Sequence, residues 1–276
     1  MRSSLRSFGL VCAALLAAIT LGCGDGGSGS GGTAGSGGTT TTATGGSTGG
    51  STGGSNTGGS SGGTSTGGST GGSTGGSTGG TMVTADALLA LTQGCDKASN
   101  GDYATDDGEA DTIPICKLNG AFFWHADMDV DCDGKETAQC NLQTDPAYQN
   151  QTSLEDSTGQ PLDAANLPFV VVPLPSSRFD YDASDIHLGG VVAVIYEGKL
   201  EFGIFGDEGP DNIIGEASYA MADSLGVNPD PSFGGVDSGV TYIVFTGAES
   251  VVSKPEDHNE AITLGEGRAK ALLGAN

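Results

Sequence analysis

Hydrophobic and polar positions alternate most regularly between Ala121 and Gly134, where the chain reads AFFWHADMDVDCDG. A period of two predicts an extended strand whose two faces differ. The apolar face carries Phe122, Trp124, Ala126, Met128 and Val130, and the opposite face carries His125, Asp127, Asp129 and Asp131. The apolar face is typical of a protein core, so Trp124 is expected to be a core residue instead of a platform for a sugar ring.

The opposite face, extended by one further aspartate, forms a row of carboxylates that we call the acidic stripe: Asp127, Asp129, Asp131 and Asp133. Carboxylates on alternate residues of a strand lie about 6.5 to 7 Å apart, and their repulsion is unfavourable unless a cation lies across them. A metal ion or a polycationic ligand would supply that positive charge. The stripe is therefore the first candidate for a functional site.

The acidic stripe also has part of the pattern of an EF-hand calcium loop. Asp129, Asp131 and Asp133, followed by a glycine, match the early ligands of such a loop. Cys140 stands where the loop needs a bidentate Glu, so a true EF-hand is not expected. Three interpretations stay open, namely a polycationic ligand, a structural Ca²⁺, and aspartates that merely cap turns near Cys132. No other cofactor and no dedicated metal site is predicted.

Elsewhere the patterns predict short strands and few helices. Helix-forming residues with an apolar stripe predict a helix over Ala85–Leu91, stopped by Thr-Gln-Gly. Apolar runs predict strands at 169–174, 191–196, 200–205 and 240–245, the middle two joined as a hairpin. A helix is expected at 217–225 with Glu216 near its first turn, and the C-terminal segment is mixed. The predicted fold class is mostly β (α+β), a single compact β-barrel-like or sandwich domain with a few short helices.

The first residues have the features of a bacterial lipoprotein signal peptide. Arg2 and Arg6 precede an apolar run at 8–21 that is too short to remain across a bilayer. Thr-Leu-Gly-Cys at 20–23 resembles a lipobox, which predicts a signal peptide over 1–22 and lipidation of Cys23. An ordinary signal peptide is the alternative. The protein is expected to be exported, either lipid-anchored at the bacterial envelope or cell surface, or secreted.

Composition separates a linker from a folded domain. Residues 23–81 are nearly all Gly, Ser and Thr, which predicts a disordered linker, and the folded domain is expected at 82–276. Removing Arg2, Arg6 and Asp25 from the totals of 10 basic and 34 acidic residues leaves that domain with 8 basic and 33 acidic residues. Such a charge repels nucleic acid and anionic lipid and attracts cationic ligands. We expect a monomer whose membrane contact is the N-terminal lipid alone.

Four cysteines belong to the predicted domain: Cys95, Cys116, Cys132 and Cys140. An even number in an exported domain predicts two disulfides. Three pairings are possible, and we favour Cys95–Cys116 with Cys132–Cys140 because short loops close most easily. A zinc site is the competing interpretation, but the sequence contains no CxxC pair.

A second group of acids lies in the segment GIFGDEGPDNIIGEAS, where Asp207 follows an apolar strand and Glu216 precedes the predicted helix. Side chains at the ends of elements are fixed by the scaffold and can still face a cleft. Two carboxyls in different environments can serve as a general acid and a general base. The alternative is that Glu216 is only a helix-start carboxylate and Asp207 only a turn residue.

That segment, the upstream DMDVDCDG, the pairs Asp145-Pro146 and Gln151-Thr152, and the late TYIVFTG together resemble glycoside hydrolase family 75, the fungal-type chitosanases. The resemblance covers roughly 120–247, with the motifs in the family's order. It implies endo-hydrolysis of β-1,4-linked glucosamine polymers with inversion, and it matches Asp207 and Glu216 to the family's two essential acids. Where many members have a WGDTNG-like run and a longer loop, this chain has FGDEG, a departure that concerns loop contacts more than the acids.

On this interpretation the partner is chitosan. Inversion needs two carboxyls about 6.5 to 9.5 Å apart, and we assign Glu216 as the acid and Asp207 as the base, with the reverse assignment open. The acidic stripe would pair with successive ammonium groups of chitosan. His125 is grouped with it as a substrate-binding candidate, although a surface histidine bonded to an aspartate explains it equally. Two other functions stay open, a non-catalytic Ca²⁺- or glycan-binding envelope lipoprotein and a peptidoglycan-acting hydrolase.

Overall fold

The computed structural model describes residues 82–275. The predicted signal peptide, the lipidation site at Cys23 and the linker at 23–81 lie outside the described residues and stay predictions. Within 82–275, no helix has both the length and the apolar character that crossing a membrane requires.

Eight strands and three α-helices make up this part of the chain. The strands are β1 (Asp96–Lys97), β2 (Cys116–Leu118), β3 (Ala121–Asp131), β4 (Phe169–Pro173), β5 (Val191–Tyr196), β6 (Lys199–Gly209), β7 (Glu216–Ser218) and β8 (Val236–Phe245). The helices are α1 (Ala85–Leu91), α2 (Tyr219–Leu225) and α3 (His258–Ala275). The predicted helix at Ala85–Leu91 and the strand at Val191–Tyr196 are confirmed.

Six of the strands close into a barrel. The order β3-β7-β4-β6-β5-β8 returns to its start because β8 also pairs with β3, while β2 and β1 extend one edge of β3. Most neighbours are antiparallel, but β3 with β7 and β4 with β6 are parallel. The prediction of a mostly β, barrel-like domain with a few helices is confirmed, and the sandwich alternative is wrong.

Alternate side chains of each long strand enter two apolar clusters, one on each face of the barrel wall. Trp124 belongs to the first cluster, is 2% exposed and stacks on Tyr242 with ring centroids 5.4 Å apart. Phe123, the residue before Trp124 on β3, belongs to the second cluster together with residues of α3. The predicted core position of Trp124 is therefore confirmed.

The structure corrects two helix predictions. Glu216 lies in β7 and not at the start of a helix, because its backbone pairs with β3 and β4 on both sides. The helix begins only at Tyr219, where the Oγ of Ser218 accepts a hydrogen bond from the backbone N–H of Met221. The mixed C-terminal segment is in fact the long helix α3. Its buried positions include Gly265, where a Cβ atom would lie 2.5 Å from the Phe202 ring, so close packing explains a glycine that disfavours helix.

Both predicted disulfides are confirmed. Cys95 pairs with Cys116 and joins the segment after α1 to β2, and Cys132 pairs with Cys140 directly after β3. The second bridge fixes the chain where the acidic stripe ends. The thiols are thus used in pairs, and the zinc interpretation of the cysteines is wrong.

Candidate functional site

Both predicted acids lie in one row across the barrel wall. The row is Asp129 of β3, Glu216 of β7, Val171 of β4 and Asp207 of β6, each paired directly with the next. Directly paired residues project their side chains from the same face of a sheet. Asp129, Glu216 and Asp207 therefore share a face, and the apolar Val171 lies between the two predicted acids.

Asp207 reaches this face through an irregularity in β6. Phe205 pairs with Val170 and Asp207 pairs with Val171, so Gly206 is an extra residue in the ladder. A Cβ atom at Gly206 would lie 2.7 Å from the Cβ of Phe169, so that position accepts only glycine without a shift of its neighbours. Close packing against Phe169 thus explains why a glycine precedes Asp207.

The side chain of Glu216 leans toward β6. A Cβ atom placed on Gly209 would lie 2.9 Å from Glu216 Oε2, and Gly209 follows Asp207 by two residues on the same strand. Because neighbouring strands are about 4.8 Å apart, the backbones of Glu216 and Asp207 are about 9.5 Å apart, with Val171 between them. The two carboxyls therefore lie on one face of the sheet, with Val171 and Gly209 beside them.

Asp207 is held firmly. It is 7% exposed, and its Oδ1 accepts hydrogen bonds from the backbone N–H groups of Ser153 and Glu208, each at 2.8 Å. Burial raises the pKa of Asp207 and the charge of Glu208 adds to the rise, while the two N–H donors oppose it. The net direction is upward, so Asp207 keeps a proton more readily than an exposed aspartate.

Asp131 and Asp133 lie beside this pair. Burial raises the pKa of Asp131 well above its usual range, helped by the charges of Asp133, Asp207 and Glu216. Burial also raises the pKa of Asp133 to about 7, although its Oδ1 accepts a hydrogen bond from the Gln149 N–H at 2.7 Å. Two of the four stripe residues are therefore electrostatically part of the Asp207–Glu216 site.

The surroundings of Asp127 differ from those of Asp131 and Asp133. It is 5% exposed and packs under Gly215, where a Cβ atom would lie 2.0 Å from Asp127 Oδ1. Gly215 also has a φ of 122°, a conformation that disfavours any other residue. Burial raises the pKa of Asp127 to about 9, with further increases from Asp129, Asp106 and Glu216. The acidic stripe thus divides into Asp127 and Asp129 near Asp106, and Asp131 and Asp133 near Asp207.

His125 is engaged by the protein on both ring nitrogens. Its Nδ1 lies 2.9 Å from the Thr241 hydroxyl and its Nε2 lies 3.1 Å from the Thr92 carbonyl oxygen. These partners belong to β8 and to the end of α1. The ring is exposed, and its substrate-binding role stays a prediction.

Sequence reasoning missed two contributors to the site. Ser153 lies in the turn-rich segment after β3 and donates to Asp207 across 54 positions of chain. Asp106 lies in a loop before β2, and its carboxylate comes close to those of Asp127 and Asp129. Neither has a local sequence pattern, because both arrive through contacts between distant segments.

Comparisons with known proteins agree on one family. The profile of the family described as "Fungal chitosanase of glycosyl hydrolase group 75" matches residues 128–266, about half of the chain. Endo-chitosanase B of Aspergillus oryzae is 33% identical over 184 residues, which cover 57% of this chain and 77% of that protein. An endo-chitosanase of Aspergillus fumigatus is 30% identical over 135 residues, which cover 46% of this chain and 57% of that protein.

Among solved structures, the Streptomyces papain inhibitor matches with a TM-score of 0.27 and 18% sequence identity. The match covers 48% of this chain and 99% of the inhibitor. At that TM-score the likeness says nothing further about this chain.

Proposed function

Because the chain belongs to the fungal chitosanase family, glycosyl hydrolase group 75, and is a chitosanase, we propose that it cleaves internal β-1,4 linkages of chitosan with inversion, using Asp207 and Glu216. One observation carries the assignment of the two acids. The cross-strand row puts both carboxyls on one face with only Val171 between them.

In the proposed reaction, one carboxyl protonates the departing glycosidic oxygen and the other deprotonates a water that attacks the anomeric carbon from the opposite side. That arrangement requires carboxyls about 6.5 to 9.5 Å apart, enough for the sugar and the water. Two strand spacings, about 9.5 Å between backbones, are compatible with it. The Glu216 side chain extends toward Gly209 on β6, so its carboxyl lies closer to Asp207 than the distance between the two backbones.

The two acids differ in environment, which decides their roles in the proposal. Asp207 is 7% exposed and its pKa is raised, whereas Glu216 is half-buried. A general acid needs a raised pKa so that it holds its proton at the working pH. This difference supports Asp207 as the acid and Glu216 as the base, the reverse of our first assignment.

Chitosan is a polycation, and the site is bordered by surplus carboxylates. Among residues 82–275, no lysine, arginine or histidine forms an ion pair with Asp131, Asp133 or Asp207. We propose that Asp133, which is half-buried, pairs with an ammonium group on a sugar flanking the cleaved bond. Such a pair contributes about 0.2 to 1 kcal/mol and weakens with salt.

Two isosteric variants of the full chain test the acid pair. Asp207→Asn and Glu216→Gln should each lower kcat on chitosan by about a thousandfold or more with folding retained, because each removes ionisation and keeps shape. The matched control is Asp211→Asn, an exposed acid in the connecting loop, which should stay within about twofold of the parent.

NMR of the first-formed anomer from wild-type enzyme should show the α-product expected from inversion of a β-linkage. Retention of the β-anomer, or full activity in either acid variant, would contradict the proposed mechanism. Equal activity on fully N-acetylated glycan, insensitive to salt, would instead support the peptidoglycan alternative.

Export and lipidation at Cys23 are tested separately, by a mass increase on residue 23 that Cys23→Ser abolishes.

A further inference from the structure

Three acidic side chains, one of which belongs to the row described above, come close together at one end of that row. Asp127 and Asp129 come from β3, and Asp106 comes from the loop that precedes β2. One carboxylate oxygen from each lies within 4.8 Å of the others, the one such group of three found within residues 82–275. Three carboxylates at this spacing repel one another strongly unless a cation lies between them.

Asp106 is brought there by a defined backbone contact. Ala104 N donates to the Asn212 carbonyl oxygen and Ile214 N donates to the Ala104 carbonyl oxygen, both at 3.0 Å. The loop is thereby tied to the segment that leads into Gly215 and β7. The position of Asp106 is thus fixed by the fold and not by a free loop.

A second, independent observation concerns Asp127. Its Oδ1 is buried and has no hydrogen-bond partner within the part of the chain that the structure describes. Its side chain is 5% exposed, and a Cβ atom at position 215 would lie 2.0 Å from Oδ1. Buried polar oxygens in native proteins are nearly always paired, so an unpaired carboxylate oxygen on a member of this acidic group points to a missing ligand.

Two of the three acids, Asp106 and Asp127, take no part in the lysine, arginine and histidine ion pairs found within residues 82–275. A glycine at position 215 keeps the space above Asp127 Oδ1 free of any side chain. This arrangement suits a small cation from solution as the ligand.

The donor set selects among cations. Three carboxylate oxygens without His or Cys suit a hard ion and not zinc. Ca²⁺ takes six to eight oxygen ligands in a flexible geometry, with carboxylates prominent among them. Mg²⁺ keeps several of its waters and is usually bound through one or two carboxylates, so a set of three carboxylates favours Ca²⁺.

We propose that Asp106, Asp127 and Asp129 bind one calcium ion, with water completing its coordination. The ion ties the loop before β2 to the acidic end of β3, beside Glu216. This set shares only Asp129 with the EF-hand-like run read from the sequence. The proposal does not depend on which carboxyl is the catalytic acid, nor on the substrate.

Calorimetry and thermal unfolding of the full chain, first stripped with a chelator, test the proposal. With about 1 mM CaCl₂ the wild type should bind one ion per chain and gain about 3 °C or more in Tm, with a smaller effect of MgCl₂. Asp106→Asn should weaken calcium binding about tenfold or more and remove most of the Tm gain. Asp107→Asn is the matched control, since it removes an exposed charge from the same loop and should keep wild-type binding within about twofold.

Three results would overturn the calcium site. The first is no heat and no Tm change for stripped wild type at about 10 mM CaCl₂. The second is equal loss of affinity in Asp106→Asn and Asp107→Asn, which would indicate general charge attraction. The third is stabilisation by glucosamine but not by calcium, abolished by Asp106→Asn, which would make the cluster a site for a sugar ammonium group. Should Asp106→Asn fail to fold, the stoichiometry and the CaCl₂-against-MgCl₂ comparison on wild type decide.

Discussion

The two halves of β3 share one alternation of side chains and have opposite characters. In the first half, 121–126, the second-face residues Ala121 and Phe123 pack in an apolar cluster with Phe245 of β8. In the second half, 127–131, the same face carries carboxylates. The change coincides with a register shift between Ala126 and Met128, after which β3 pairs with the short strand β7.

The two halves have the same alternation of side chains but different partner strands, so the partner strand accounts for the difference between them. The first half is paired on both edges, with β2 on one side and the long strand β8 on the other, and serves folding. The second half pairs with β7, and Glu216 of β7 belongs to the same cross-strand row as Asp207. Loss of folding should therefore follow changes in the first half, and loss of site geometry should follow changes in the second.

The largest effect on stability is expected in the first half. Trp124→Ala removes a 2% exposed ring stacked on Tyr242 and should lower the free energy of unfolding by about 3 to 5 kcal/mol, measured by urea denaturation. Trp124→Phe is the control, because it keeps an aromatic ring and removes the buried Nε1, which has no partner among the described residues. A loss below about 1 kcal/mol in Trp124→Ala would contradict the division of β3 into a folding half and a site half.

A smaller loss of stability, with a loss of turnover, is expected next to the second half. Gly215→Ala introduces a Cβ atom 2.0 Å from Asp127 Oδ1 at a φ of 122°, directly before Glu216. It should cost about 1 to 3 kcal/mol of stability and lower kcat on chitosan, because Glu216 must shift with the backbone. Gly239→Ala is the matched control: its φ is also positive, at 92°, but the nearest atom is 3.8 Å away, so it carries backbone strain without the clash. Equal kcat values for the two variants would show that the contact with Asp127 does not position Glu216.

The last expected effect is a gradual pH dependence of stability that arises in the second half. The folded chain keeps the proton of Asp133 up to about pH 7, while the unfolded chain loses it near the ordinary value of 3.8. The pKa is raised on folding, so this contribution to stability is complete below about pH 4 and is lost as pH rises to about 7, at up to about 1.4 kcal/mol per pH unit.

Urea denaturation in the presence of a chelator, at intervals from pH 4 to 8, measures this loss. Asp133→Asn should flatten the decline between pH 4 and 7, and the exposed Asp107→Asn should leave it unchanged. An unaltered slope in Asp133→Asn would mean that Asp133 is ionised in the folded chain throughout this range.

Local patterns predicted those parts of the fold whose cause is local. The alternation of apolar and polar residues predicted β3 and the core position of Trp124, and apolar runs predicted β4, β5 and the start of β6. The helix α3 was missed because Gly265 and Gly267 lower helix propensity, and Gly265 is there to pack against Phe202. Glu216 was predicted at a helix start because a polar residue before an apolar run fits that pattern, whereas pairing with two distant strands makes it part of β7.

The residue patterns alone predicted a barrel-like domain, its two disulfides, the acidic face of β3 and, through family resemblance, the two candidate acids. Three features emerged only in the folded chain: these acids lie two strands apart in one row, the stripe divides between two clusters, and Asp106 joins one of them. The reason is physical: side-chain periodicity is fixed by the geometry of a single strand, while the neighbours of each carboxylate are fixed by pairing between segments far apart in the chain.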